Sequence, residues 1–88
     1  MLERHVEDAL VQHVAKAGGR ALKFVSPGSD GQPDRLCLLP GGKILFVELK
    51  APGKKPTPLQ AKVHDQLRAL GFDVYVADSK EAVRAIPL

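Results

Sequence analysis

Val6, Leu10 and Val14 recur every four residues among polar neighbours, with Leu2 one step earlier. That spacing predicts an amphipathic helix from Glu3 to Ala17. Gly18-Gly19 ends it, as a left-handed cap does. The period then changes. Over residues 20–25, Leu22 and Phe24 alternate with Lys23, which predicts a strand. Ser26-Pro27-Gly28-Ser29-Asp30-Gly31-Gln32-Pro33 reads as a loop. Asp34–Leu39 and Lys43–Lys50 read as two apolar strands around a hairpin turn at Pro40-Gly41-Gly42.

After a second loop, Ala51–Pro56, the helical period returns. Thr57 suits an N-cap, Pro58 the first helical position, and Gln60 completes a capping box with Thr57. Leu59, Val63, Leu67 and Leu70 supply the apolar stripe, and Gly71 ends it. Phe72–Ala77 reads as a strand with Phe72, Val74 and Val76 on one face. Asp78 and Glu81 form a second capping box, opening a short helix that stops near Pro87. The order is α-β-β-β-α-β-α. The hairpin strands are apolar on both faces, so a mixed central sheet flanked by helices is expected. The 43–77 strand–helix–strand unit should be a right-handed parallel crossover.

Length and composition narrow the function classes. An 88-residue chain buries about 60% of its extended surface, enough for one small core, so residues 1–88 are expected to form one domain. With 44% hydrophobic and 26% charged residues the chain is a folding sequence and not a disordered one. No apolar run approaches the roughly 18 residues of a membrane span, and Met1–Glu7 lacks the apolar stretch of a secretory signal. A single cysteine supports neither an intrachain disulfide nor a Cys-rich zinc site. A cytoplasmic protein with no membrane partner is expected. The net charge of +3 is uneven. Lys50, Lys54, Lys55 and Lys62 fall in a stretch with no acid between Glu48 and Asp65, which suits either a solvated loop or a polyanion.

The hairpin also acts as a ruler. If Pro40-Gly41-Gly42 is a three-residue loop, Leu39 lies opposite Lys43 and Asp34 opposite Glu48. Opposed residues share a face with Cβ atoms about 5 Å apart. Lys50, two residues on, shares that face. Like charges so placed destabilise a sheet. A divalent cation such as Mg²⁺ or Mn²⁺ is one compensation. The other is a solvated strand end in which Lys50 neutralises both acids. At the level of the hairpin alone the two readings are open.

The flanking loops add further pattern. Gly31-Gln32-Pro33-Asp34-Arg35 puts the first acid where a glycine loop enters a strand, and Phe46-Val47-Glu48-Leu49-Lys50-Ala51 ends the next strand in acid–x–lysine. Together with Glu7, Lys23-Phe24-Val25-Ser26-Pro27-Gly28 and Gln60, they make the chain resemble the PD-(D/E)xK nucleases. Within that superfamily it resembles the VRR-NUC family, the virus-type replication and repair nucleases, and most of all their small phage and prophage members. The resemblance covers nearly the whole chain. It implies a restriction-endonuclease-like α/β core and a metal-dependent endonuclease that hydrolyses DNA with Mg²⁺ or Mn²⁺. It implies a homodimer acting on branched DNA, as Holliday-junction resolvases do, in the bacterial host cytoplasm. Alternatives are cleavage of flap, nicked or linear duplex DNA with a helicase, or a DNA-binding module without catalysis.

The same resemblance assigns residues. Asp34, Glu48 and the Leu49 backbone carbonyl are the expected metal ligands. Glu7 reaches the metal directly or through water, with Glu3 as its substitute. Lys50 is the catalytic lysine, and Gln60 closes the site. Lys54, Lys55, Ser26, Gly28 and Gln32 are expected to lie along DNA. Arg35 should point to the face opposite Asp34. His5, His13 and His64 are not spaced as a metal cluster and read as surface or helix-flank residues. Cys37, between Leu36 and Leu38, reads as a buried core thiol.

Overall fold

The computed structural model describes residues 3–88, with side chains from Arg4 onward. The Leu2 step of the first stripe and the Glu3 side chain lie outside the described residues. The elements are α1 (Glu3–Lys16), β1 (Arg20–Lys23), β2 (Arg35–Leu39), a 3-10 turn (Pro40–Gly42), β3 (Lys43–Leu49), α2 (Pro58–Ala69), β4 (Asp73–Ala77) and α3 (Lys80–Arg84). The sheet runs β1-β2-β3-β4, antiparallel except for the parallel β3–β4 pair. This is the expected α-β-β-β-α-β-α order with a mixed sheet. The hairpin register is also the expected one, with Leu39 opposite Lys43 and Arg35 opposite Val47. Gly41 and Gly42 make the turn possible, at φ 81° and 76°.

Strand alternation divides the side chains between two faces. Cys37, Leu39, Leu45, Val47, Leu49 and Ala77 pack with Val6, Leu10 and Val14 of α1 and with Val83 and Ile86 at the C-terminal end. The other face carries Phe24, Phe46 and Phe72; Phe24 and Phe46 meet tilted at a centroid distance of 5.7 Å, and Phe46 and Phe72 edge to face at 5.6 Å. Here α2 covers the sheet only in part, leaving Leu38, Ile44, Phe72 and Val76 exposed.

Two local expectations are corrected. The inward stripe of α2 is not Leu59, Val63, Leu67, Leu70, since Leu59 is 49% and Leu70 74% exposed. Gln60, Val63, His64 and Leu67, at i, i+3, i+4, i+7 spacing, turn inward instead. The N-cap of α3 is Ser79, whose hydroxyl accepts from the Ala82 N–H. Asp78 is drawn away because its carboxylate accepts the Gly53 N–H at 3.1 Å. Among the described residues no helix is long and apolar enough to cross a membrane.

The α1–sheet contact leaves no space at Gly19, where a Cβ would meet the Leu38 carbonyl oxygen, Leu39 Cδ2 and Val14 Cγ1. Cys37 is sealed in the same core, and burial pushes its thiol up to about 11, against a smaller lowering by Arg35. Gly19→Ala should therefore cost about 1–3 kcal/mol through overpacking, lowering Tm by roughly 4–8 °C per kcal/mol. Cys37 should resist alkylation in the folded protein and label faster in the variant as unfolding becomes more frequent. Thermal denaturation and timed labelling check both. Labelling of the folded protein at the denatured rate would contradict this packing.

Candidate active site

The turn register carries Asp34 to the position opposite Glu48, on the α2 side of the sheet. Asp34 precedes β2 by one residue and is held there from two directions. Its backbone carbonyl accepts the Phe24 N–H at 2.9 Å, and its Oδ1 accepts the Leu49 N–H at 3.1 Å. The preceding loop is clamped on α2. Gly31, at φ +86°, lies so close to Leu59 and Val63 that a Cβ would meet Leu59 Cγ and Val63 Cγ2 at 3.0 Å, and Pro33 is buried. The glycine there serves close approach as well as a turn.

The direction of the Leu49 carbonyl follows from its neighbour. The Lys50 N–H donates to Ala77 O at 2.9 Å, toward β4. No peptide bond is cis. The Leu49 C=O, in the same trans unit, points the opposite way, toward β2 and Asp34. Glu48 is 4% exposed. Lys50 Nζ donates to Gln60 Oε1 at 2.7 Å, and that oxygen also accepts the Thr57 N–H at 2.9 Å. Gln60 thus completes the helix cap and holds the lysine with one atom.

His64 corrects the reading of a surface or flank residue. It is 1% exposed, with Nε2 3.5 Å from Glu48 Oε1. Burial is the main cause that lowers its pKa, aided by Arg68 and opposed by Asp65, with smaller effects of Lys50 (lowering) and Asp34 (raising). These causes favour the neutral imidazole. His13 is half-buried with Nε2 2.9 Å from Ile86 O, and His5 is exposed.

Arg35 points to the α1 side, opposite Asp34, as expected. It meets Glu7 at 2.9 Å, and a second guanidinium nitrogen donates to the Asp34 backbone carbonyl at 3.0 Å. Glu7 therefore approaches the site end from across the sheet, engaged by Arg35. Ser26 is half-buried and Gly28 exposed in the loop before Asp34, where the Ser29 hydroxyl accepts from Gln32 Nε2 at 3.1 Å. Lys54 and Lys55 are exposed on the loop that Asp78 ties down through Gly53.

No family model matches the chain. Over 85 residues the chain is 55% identical to "Putative nuclease p44" of Acyrthosiphon pisum secondary endosymbiont phage 1, covering 97% of this chain and 91% of that protein. A solved structure described as "VRR_NUC domain" superposes with a TM-score of 0.86 at 35% identity, over 92% of this chain and 88% of that one. The chain belongs to the VRR-NUC nuclease family.

For a VRR-NUC domain the donor set matters. Among the described residues no three His, Cys, Asp or Glu side chains gather as a cage. Register and peptide direction place Asp34, Glu48 and the Leu49 carbonyl at one strand end. A hard cation that takes one or two carboxylates and keeps several waters fits such a set; a soft or cage-bound metal does not.

Gln60 should carry both jobs measurably. Gln60→Ala removes the acceptor shared by Thr57 and Lys50 and should cost about 1 kcal/mol, as capping losses do. Gln60→Glu keeps an oxygen for both donors and should retain most of that stability in thermal denaturation. Equal losses in the two variants would contradict the shared-acceptor geometry.

Proposed function

We propose that this VRR-NUC protein is a metal-dependent DNA endonuclease whose site is Asp34, Glu48, the Leu49 carbonyl and Lys50. The observation that carries the reading is that the hairpin register puts two carboxylates and an ammonium at one strand end on one sheet face, with Asp34 bonded to the Leu49 N–H and Lys50 to Gln60 of α2. A divalent cation held there, Mg²⁺ or Mn²⁺, would make a bound water more acidic and polarise the phosphoryl oxygens. Asp34 and Glu48 hold it, with Asp34 oriented by the Leu49 N–H. Lys50, held by Gln60, donates to the attacking water and to the charge that builds on the phosphate. The water oxygen bonds to phosphorus as the bond to the leaving sugar oxygen breaks, the nucleophile's proton passing to bulk water and the leaving oxygen taking one from it. Glu7 engages Arg35, which holds the Asp34 backbone, and from there reaches toward the metal directly or through water.

Lys54 and Lys55 lie along the DNA backbone in this reading, with Ser26, Gly28 and Gln32 on the opposing loop. The finer form of the proposal is a homodimer cutting branched DNA in the host cytoplasm, its two sites meeting two strands. The exposed Leu38, Ile44 and Phe72 offer apolar surface for a second copy. A binding module without catalysis is disfavoured by charge, since paired carboxylates without a cation repel phosphate.

Asp34→Asn and Glu48→Gln should abolish cleavage of four-way junction, flap and duplex DNA in Mg²⁺ or Mn²⁺ while leaving the protein folded. Asp34→Asn keeps an oxygen for the Leu49 N–H. Lys50→Ala should lower kcat by ~10²–10³ with a smaller change in metal requirement. Undiminished cutting by the folded acid variants would overturn the assignment.

Replacing both Lys54 and Lys55 with Ala should weaken DNA binding alike for every sequence. It should also flatten the plot of log affinity against log salt by about two units per protomer, at ~0.9 per phosphate contact on duplex DNA. A salt titration of binding in Ca²⁺ checks it. An unchanged slope assigns the pair to a solvated loop.

A further inference from the structure

Two polar residues on the inward face of α2 meet Glu48 of β3 and Lys50 just past its end. Gln60 meets Lys50 at 2.7 Å, and His64 meets Glu48 at 3.5 Å. The pairing is in register for a geometric reason. Four helical residues rise about 6 Å, and two strand residues rise about 6.6 Å. An i, i+4 pair on a helix running antiparallel to a strand therefore matches an i, i+2 pair on the strand. The α2 capping box locks the first rung, because Gln60 is bonded to both Thr57 and Lys50. The second rung then falls where Glu48 points. Val63, on the same face, supplies apolar packing beside it.

We propose that His64 is a positioning residue for Glu48, its ring nitrogen, 3.5 Å from Oε1 and just outside hydrogen-bond geometry, standing where an N–H can hold that carboxylate in the orientation from which it and Asp34 share a cation. An imidazole beside an acceptor-only carboxylate offers an N–H in either protonation state. A helix side chain of this kind, itself 1% exposed, has no solvent role to explain it. Partners that orient a ligating carboxylate commonly govern metal affinity by 10–100-fold. The inference rests on the metal-site reading proposed above and adds to it the residue that fixes one of the ligands.

The test is calorimetric titration of the full chain with Mn²⁺ alone, without DNA, for the parent, His64→Leu, His64→Gln and Asp34→Asn, each with its Tm. His64→Leu keeps an apolar group in the buried site and should remain folded, with Mn²⁺ affinity reduced about 10–100-fold. His64→Gln retains an N–H donor and should recover most of that affinity. In cleavage assays the His64→Leu defect should shrink at high Mn²⁺, moving the metal requirement more than kcat. Parent-like Mn²⁺ affinity in folded His64→Leu would overturn the proposal. So would loss of affinity in His64→Gln equal to that in His64→Leu at unchanged Tm. If His64→Leu does not fold, His64→Gln decides alone, and weak binding by a stable His64→Gln overturns the proposal. Parent-like binding by Asp34→Asn, or none by the parent, would overturn the metal-site reading itself, which separates the two failures.

Discussion

The register of the β2–β3 hairpin is the constraint on which everything else depends. Side chains alternate with period two, so a slip of one residue exchanges the two faces of a strand. A slip in β3 would drive Glu48 and Lys50 into the core against Val6, Leu10 and Val14, and bring Leu45, Val47 and Leu49 out beneath α2. Burying an unpaired carboxylate and ammonium there, while exposing three large apolar groups, is prohibitive for so small a core. The Pro40–Gly42 turn and the α1 contact thus enforce the placement that sets Asp34 opposite Glu48. The geometry of the proposed site is a by-product of the requirement that the core be apolar.

The remaining parts are delivered by elements with structural reasons of their own. Gln60 caps α2 and restrains Lys50 with the same oxygen. Gly31 seats the loop before Asp34 on Leu59 and Val63. Asp78 gives up an N-cap to hold Gly53, and with it the loop carrying Lys54 and Lys55. In each case an interaction that stabilises the fold also limits the freedom of a group facing the proposed DNA path, which reduces the ordering cost of binding.

Much of this was legible in the sequence because it depends on local rules. Turn length and alternation alone put Asp34 and Glu48 on one face. Thr57-Pro58 with Gln60 marked the α2 start. Cys37 between two leucines signalled a buried thiol. What was not legible depended on distant partners. Leu59/Val63/Leu67/Leu70 and Gln60/Val63/His64/Leu67 fit the helical period equally well, and hydrophobicity favoured the first. The second prevails because Lys50 and Glu48 offer Gln60 and His64 polar partners inside the fold. A histidine four residues after a capping-box glutamine, across from an acid–x–lysine strand, was the available signal. The Asp78–Ser79 choice of cap was likewise decided by the Gly53 N–H, far away in the chain. Glu7 read as a ligand by resemblance, while its engagement with Arg35 follows from which face each residue occupies.

The central claim is that Asp34, Glu48 and the Leu49 carbonyl form one hard-cation site beside Lys50. Anomalous diffraction at the manganese edge, from crystals equilibrated with Mn²⁺, tests it most directly. The account predicts an anomalous peak bonded to both carboxylates and to the Leu49 carbonyl oxygen, with Lys50 Nζ nearby and not coordinated. Manganese bound only elsewhere, or no peak at this strand end at saturating Mn²⁺, would contradict it.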